Sequence, residues 1–102
     1  MKKIITSGKR KRAIARAVIV TGSGNVLINN KPHTNLQLFD NLKIEEPLRI
    51  AQEILGKLNF DVSITVKGGG EKGQLEASRL ALARAIVEFS KSKKLVEAFT
   101  SY

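Results

Sequence analysis

A glycine-rich segment with the sequence GGGEKG, residues Gly68–Gly73, is the closest match to a chemical motif in these 102 residues. It fits the pattern G-x-G-x-x-G, in which backbone N–H groups at a helix start hold a phosphate. A dinucleotide site would also need a following parallel strand with an acid ~20 residues on, and too little chain remains for one. A P-loop would need Lys and Ser or Thr where Gln74 and Leu75 stand. Two interpretations stay open: a loop that holds a phosphate beside Lys72, and a tight strand-to-helix turn without a ligand.

Basic residues are concentrated in the first third of the chain. The formal net charge is +9, and residues 1–39 contain eight Lys or Arg and no Asp or Glu. Four of these cations form the run Lys9–Arg12, and Arg16 follows shortly after it. Such blocks are typical of arms that bind nucleic acid, although a solvated, disordered start would have the same composition. We predict that this segment forms a surface that binds polyanions.

Catalysis and metal binding find little support in the residue types. The sequence contains no Cys and a single His, His33, with no acid before Asp40. Spacing therefore offers no set of nucleophile, base and orienting group. Thiolate chemistry and a histidine-rich metal centre are excluded. We predict no enzymatic activity and no cofactor.

The apolar and aromatic residues narrow the possible partners. Aromatic residues make up 5% of the chain, so a platform on which single-stranded bases stack is not expected. RNA or DNA would instead be held through its phosphates and its shape. No fully apolar run exceeds four residues, whereas a membrane-spanning helix needs ~18, so no membrane partner is expected.

The first half of the chain shows turn signals between short apolar runs. The β-branched end of residues 13–21, the turn Gly22–Asn25 and the run Val26–Ile28 together predict a β-hairpin, and the alanines leave a helix possible for residues 10–17. A short helix is predicted near residues 36–40. A longer one is predicted from Pro47, in its first turn, to about residue 55, with Gly56 as its stop.

The second half has clearer periodicity. Phe60–Lys67 alternates between apolar and polar residues, which predicts a strand. Residues 72–90 predict an amphipathic helix whose apolar stripe is Leu75, Leu82, Ile86 and Phe89. Arg79 interrupts that stripe, Arg84 lies on the opposite side, and a last helix is expected over residues 92–100. The chain is predicted to be one α+β domain over residues 1–102, with helices packed on a single sheet and residues 1–12 as a basic arm leading into the first strand.

Several separated motifs together resemble one known family, the small-subunit ribosomal protein nine family. They are GKRKRAIAR at residues 8–16, GNVLIN at 24–29 with Pro32, Pro47-Leu48, VKGGGEKGQ at 66–74, Arg79 and Ala83-Arg84-Ala85. They occur in the family's order over most of residues 7–90. Residues 94–102 look closer to the archaeal and eukaryotic branch than to the bacterial one.

The resemblance implies a fold, a location and a set of RNA-binding residues. The fold is a two-layer α+β sandwich with one mixed sheet, like the second domain of ribosomal protein five, and it includes a left-handed βαβ crossover. The location is the cytoplasmic ribosome, in the head of the small subunit, with ribosomal RNA and neighbouring small-subunit proteins as partners. The expected RNA-binding residues are Lys9, Arg10, Lys11, Arg12, Arg16, Lys67, Gly68, Gly69, Gly70, Lys72, Gly73, Gln74, Arg79 and Arg84.

Members of that family also carry a basic C-terminal tail that reaches tRNA in the peptidyl site. The present sequence ends at Tyr102 without such a tail, so a tRNA contact is expected only where a tail is present.

Two other functions are compatible with the residues alone. A small nucleotide-binding phosphotransferase would use the loop Gly68–Gly73, and binding of ATP or GTP with magnesium would then raise its melting temperature. A regulatory nucleic-acid-binding protein outside the ribosome would prefer one short site over bulk ribosomal RNA.

Overall fold

The fold consists of five strands and two helices. The computed structural model describes residues 3–29, 31–32, 38–91 and 97. In chain order its elements are β1 (Lys3–Arg10), β2 (Ala13–Thr21), β3 (Val26–Ile28), β4 (Lys31–Pro32), α1 (Leu38–Leu55), β5 (Phe60–Lys67) and α2 (Glu71–Ser90). The strands form one sheet in the order β1-β2-β5-β3-β4.

The basic segment contains a strand of its own. β1 pairs with β2 in antiparallel register, from Lys3 opposite Val20 to Arg10 opposite Ala13. Alternate residues of β2, beginning with Ala13 and Ala15, are fully buried, while those between them face the other side of the sheet. Residues 13–21 are therefore a strand rather than the alternative helix. The residues predicted to lead into the first strand are part of a hairpin, closed by Lys11 at a φ of 56°.

The predicted hairpin between residues 13–21 and 26–28 is wrong. β5 lies between these two strands: it pairs with β2 in antiparallel register and with β3 in parallel register. Phe60, Val62 and Ile64 of β5 are almost fully buried. An eight-residue strand of this apolarity buries more surface in the middle of a sheet than the three-residue β3 would. The segment Gly22–Asn25 passes over the start of β5, with Gly24 N donating to Phe60 O at 2.8 Å.

The helix α1 is longer than the sequence predicts. It begins at Leu38, so Pro47 lies in its interior rather than in its first turn. Ile44 and Ala51 are fully buried on the two sides of Pro47, which is itself buried. This continuous apolar side explains why the helix tolerates the lost backbone donor. The predicted stop is confirmed, because Gly56 has a φ of 84° and its N–H donates to Gln52 O at 2.8 Å.

The predictions for β5 and α2 are confirmed. β5 covers residues 60–67, and α2 covers 71–90 where 72–90 is predicted. Leu82 and Ile86 of the predicted stripe are fully buried, and Leu75 and Phe89 are partly buried and pack against the core. The rest of the buried side of α2 consists of small residues that the stripe omits, namely Gly73, Ala77, Ser78, Ala81 and Ala85. The predicted last helix at 92–100 lies outside the described residues apart from residue 97.

The helices and the sheet form two layers. The buried residues of α1, α2 and the sheet belong to one core, which confirms the α+β prediction of one mixed sheet with helices packed on it. Within the described residues neither helix covers the other side of the sheet, and Ile14 is 55% exposed there. β3, α1 and β5 form the βαβ unit, and its left-handed crossover stays a prediction. Over the residues described, neither helix has the length and apolarity that crossing a membrane requires.

Candidate nucleic-acid interface

The glycine-rich loop packs directly against the turn of the basic hairpin. A Cβ atom on Gly68 would lie 2.7 Å from the Arg12 carbonyl oxygen, and one on Gly69 would lie 2.9 Å from Ala13 N. Gly68 and Gly69 also have φ angles of 77° and 63°, a region that other residues rarely adopt. The two candidate segments of the sequence, far apart in the chain, therefore form one continuous end of the molecule.

The start of α2 holds this loop in place. Gly70, the residue that caps the helix, is extended and provides no side-chain hydrogen bond to it. The side-chain amide of Gln74 donates to Gly68 O at 3.0 Å. Glu71, in the first turn, provides the negative charge that a helix N-terminus favours. This geometry supports the interpretation of the loop as a tight turn, because packing on the basic hairpin accounts for Gly68 and Gly69, whereas a Cβ atom on Gly70 would meet nothing within 4 Å.

Seven of the predicted cations surround this end of the molecule and are exposed to solvent. They are Lys9, Arg10, Lys11, Arg12, Arg16, Lys67 and Lys72. In the register of the sheet, Lys67 lies opposite Ile14, and Ile14 lies opposite Lys9. Within the described part of the chain, none of the seven pairs with a carboxylate. Their positive charge is therefore available to a polyanion.

The remaining two predicted cations lie on the flanks of α2. Arg79 Nη2 forms an ion pair with Glu46 Oε2 of α1 at 3.2 Å. Its position is eight residues from the helix start, ~12 Å along the axis. Arg84 is exposed as predicted, but its Nη1 donates to Ser7 O of β1 at 2.9 Å. The structure thus brings twelve of the predicted residues together, while Arg79 lies against α1 and Arg84 against the edge strand β1.

Two further positions have structural roles that the sequence does not reveal. A Cβ atom on Gly8 would lie 2.6 Å from the Ala77 carbonyl oxygen, so glycine lets α2 approach β1 closely. Thr6 Oγ1 donates to Ala81 O at 2.8 Å beside it. In a sequence, a glycine within a strand is the only sign that another backbone passes close to that strand.

Asp61 holds the loop that connects β2 to β3. The backbone N–H groups of Asn25 and Ser23 donate to its Oδ1 at 3.0 and 3.1 Å. These hydrogen bonds, with a further one from Gly24, lower the pKa of the Asp61 carboxyl below its usual value of 3.8 against the opposing effect of desolvation. Asp61 is the only acid in β5. Its role is therefore structural, because it stabilises the loop between β2 and β3.

A metal centre is not found among the residues that the structure describes, where no group of three or more His, Cys, Asp or Glu lies close enough to hold an ion. His33 lies outside those residues.

Comparison with known proteins decides the family. The family model described as ribosomal protein S9/S16 matches residues 8–100. The chain belongs to this ribosomal protein S9/S16 family. Small ribosomal subunit protein uS9 of Methanococcus vannielii is 46% identical over the whole of this chain and 75% of its own length. The proteins of the same name from Methanococcus maripaludis strains C7 and DSM 14266 are each 47% identical with the same coverage.

Membership of the S9/S16 family agrees with the resemblance drawn from the motifs. The relatives named above are archaeal, which is consistent with the archaeal-type branch predicted from residues 94–102. The family is one of ribosomal proteins, a class that is structural rather than catalytic.

Proposed function

We propose that this protein is a structural component of the small ribosomal subunit, where it binds ribosomal RNA through its basic hairpin turn and glycine-rich loop. The observation that carries the proposal is the group of seven exposed cations at the end of the sheet where these two segments meet. The names of the similar archaeal proteins, which place them in the small subunit, support the assignment. The protein acts on the cytoplasmic ribosome and supports translation.

The interface works by neutralising phosphates. Lys9–Arg12 and Arg16 reduce the repulsion between RNA strands that converge on the subunit, and Lys67 and Lys72 add charge from the neighbouring loop. Binding releases the counterions condensed on the RNA, so affinity falls steeply as salt is raised. Gly70 has no side chain and a Cβ atom there would meet nothing within 4 Å, which lets RNA approach the backbone of this end closely.

The position of the protein within the small subunit is proposed from the resemblance to the same family. The protein lies in the head of the subunit, among neighbouring small-subunit proteins. A contact with tRNA in the peptidyl site belongs to the family's basic tail, and none of the cations described above is assigned to it. Arg79 and Arg84 keep their proposed role as flanking cations, with Arg79 shared between RNA and Glu46.

The test compares two variants that each lose four positive charges. In the first, Lys9, Arg10, Lys11 and Arg12 are all replaced by Gln. In the control, Gln replaces four exposed cations that lie on α1, just after it, or at the far end of α2, namely Lys43, Arg49, Lys57 and Lys91. Binding to small-subunit ribosomal RNA is measured over a range of salt concentrations, with circular dichroism to verify the fold.

We expect the first variant to bind more weakly across RNA sequences, with the slope of log K against log salt flattened by ~0.7–0.9 for each phosphate that the protein no longer neutralises. The control variant should keep a slope close to that of the unmodified chain. An equal decrease in affinity in both variants would refute the localised interface. A strong preference for one short DNA or RNA site would point to a regulator outside the ribosome.

A further inference from the structure

The side of the sheet that faces away from the helices has an ordered arrangement of side chains, which we call the open face. The register of β5, β2 and β1 aligns its residues in rows. The first row, nearest the basic turn, is Lys67, Ile14 and Lys9, and the second is Thr65, Arg16 and Ser7. The third row is Ser63, Val18 and Ile5, and the fourth is Asp61, Val20 and Lys3.

The first two rows are cationic and contain no acid. They present three positive charges, two hydroxyl groups and the half-exposed Ile14. Asp61, the acid of the fourth row, lies at the other end of the strand and accepts hydrogen bonds from Ser23 and Asn25. The charge of these two rows is therefore complementary to a polyanion. These two rows also adjoin the turn of the basic hairpin, because Lys9 belongs both to the first row and to the run Lys9–Arg12.

The shape and chemistry of the open face select the kind of polyanion. Its four rows contain no aromatic side chain, so stacking of single-stranded bases is not available. Lys9 and Lys67 are separated by two strand spacings, ~10 Å, with Ile14 between them. The second row places one hydroxyl on each side of Arg16. A wide, shallow surface that displays phosphates at its rims and 2′-hydroxyls between them fits this pattern, and the minor groove of an A-form RNA helix is such a surface.

We infer that the open face binds double-stranded RNA across its minor groove. Lys9 and Lys67 contact phosphates on the two strands, Arg16 lies over the groove, and Ser7 and Thr65 hydrogen-bond to 2′-hydroxyl groups. Ile14 makes an apolar contact with the sugars. The inference deepens the proposed function, on which it rests, by assigning a side of the sheet to RNA and a helical form to that RNA.

The first experiment removes the hydroxyls and keeps every charge. The double variant Ser7→Ala/Thr65→Val preserves the shape of the open face and the Ser7 backbone oxygen that accepts from Arg84. Binding is measured with an RNA duplex and with a DNA duplex of the same sequence. We expect a roughly tenfold loss of affinity for the RNA duplex, since each hydrogen bond contributes modestly. Affinity for the DNA duplex and the salt slope should stay unchanged, because neither depends on 2′-hydroxyls.

The second experiment removes the charges of the open face. The triple variant Lys9→Gln/Arg16→Gln/Lys67→Gln is compared with the matched control Lys43→Gln/Lys57→Gln/Lys91→Gln. We expect the open-face variant to flatten the salt slope for the RNA duplex by ~1.4–1.8, the share of the two phosphates that Lys9 and Lys67 contact. The control variant should flatten this slope by less than ~0.7, the change expected when a single phosphate contact is lost. Melting curves verify that both variants fold.

The outcomes separate this inference from the proposed function. If the unmodified chain binds neither small-subunit ribosomal RNA nor the RNA duplex, the proposed function fails. If it binds ribosomal RNA but both open-face variants bind as well as the unmodified chain, only the assignment of the open face is overturned. Retained RNA binding by variants that no longer bind a neighbouring small-subunit protein would likewise overturn it and assign the face to protein.

Discussion

At the scale of single residues, Gly8 and Thr6, which lie in β1 just before the basic run, determine how closely the layers meet. Gly8 lies where the backbone of α2 passes over β1, and Thr6 donates to the same stretch of helix. Asp61 holds the loop that carries the chain from β2 to β3. The contacts of Gly8 and Thr6 place the basic hairpin relative to α2, and those of Asp61 hold a loop, so their effect on RNA binding is indirect.

Replacing Gly8 with Ala should destabilise the protein. The added Cβ would lie 2.6 Å from Ala77 O and 2.8 Å from Ala81 N, so α2 would have to move away from β1. We expect the free energy of unfolding to fall by ~1–3 kcal/mol, as for other overpacked sites. Urea denaturation measures it. The control Gly70→Ser, where a Cβ meets nothing within 4 Å, should be neutral or slightly stabilising because Ser caps helices well.

Asp61 should make stability depend on pH in the acid range. Its pKa is lower in the folded chain than in the unfolded one, so its stabilising effect is present above the unfolded value of 3.8 and is lost as pH falls through the folded value. The variant Asp61→Asn should be less stable at neutral pH. The gap between the two proteins should close as pH falls below ~4. Melting temperatures from pH 7 down to pH 3 measure this, and a gap independent of pH would contradict the assignment.

At the scale of elements, the glycine-rich loop shows how one motif can serve packing instead of chemistry. Its G-x-G-x-x-G pattern stands between a strand and a helix, as in a nucleotide-binding loop. In the fold, however, Gly68 and Gly69 lie against Arg12 and Ala13, and the Gln74 side chain donates across the loop. The pattern arises because backbone must pass close to backbone at this point.

Nucleotide should therefore leave the stability of the protein unchanged. ATP or GTP with magnesium at millimolar concentration should not raise the melting temperature, because a ligand that does not bind the folded state cannot stabilise it. A short RNA duplex serves as the positive control and should raise it. A nucleotide-dependent increase that the variant Lys72→Gln abolishes would revive the phosphotransferase alternative.

At the scale of the whole molecule, the excess of positive charge is a cost to the free protein and an advantage to the complex. The chain has 18 basic and 9 acidic residues, and the cations at the end of the sheet repel one another when no RNA is present. Salt screens that repulsion, whereas it weakens the attraction to RNA. Stability of the free chain and affinity for RNA should consequently respond to salt in opposite directions.

We expect the melting temperature of the free protein to rise as NaCl increases from ~20 mM to ~300 mM, where the Debye length becomes much shorter. The variant with Gln at Lys9, Arg10, Lys11 and Arg12 should be more stable than the unmodified chain at low salt and less sensitive to salt. The control with Gln at Lys43, Arg49, Lys57 and Lys91 loses the same charge from dispersed positions and should gain less. A melting temperature that falls as salt increases would show that attraction between opposite charges outweighs repulsion between the cations.

The sequence by itself determined the features that depend on local pattern. Alternation over Phe60–Lys67 and helical spacing in residues 72–90 identified β5 and α2, because each element buries one side of its own period. The basic run and the ordered motifs indicated the class of partner and the family. Charge and composition do not depend on the path of the chain, so the sequence alone was sufficient for them.

Only the tertiary structure decided which distant segments meet. β5 separates β2 from β3, although a turn joins those two in sequence, because the longer apolar strand gains most from pairing on both edges. The same pairing brings Lys67 beside Ile14 and Lys9, and packing of the loop on Arg12 places the glycines there. The partners of Arg79 and Arg84 lie 33 and 77 residues away. Contacts between remote residues form from the balance of the whole core, which no local pattern encodes.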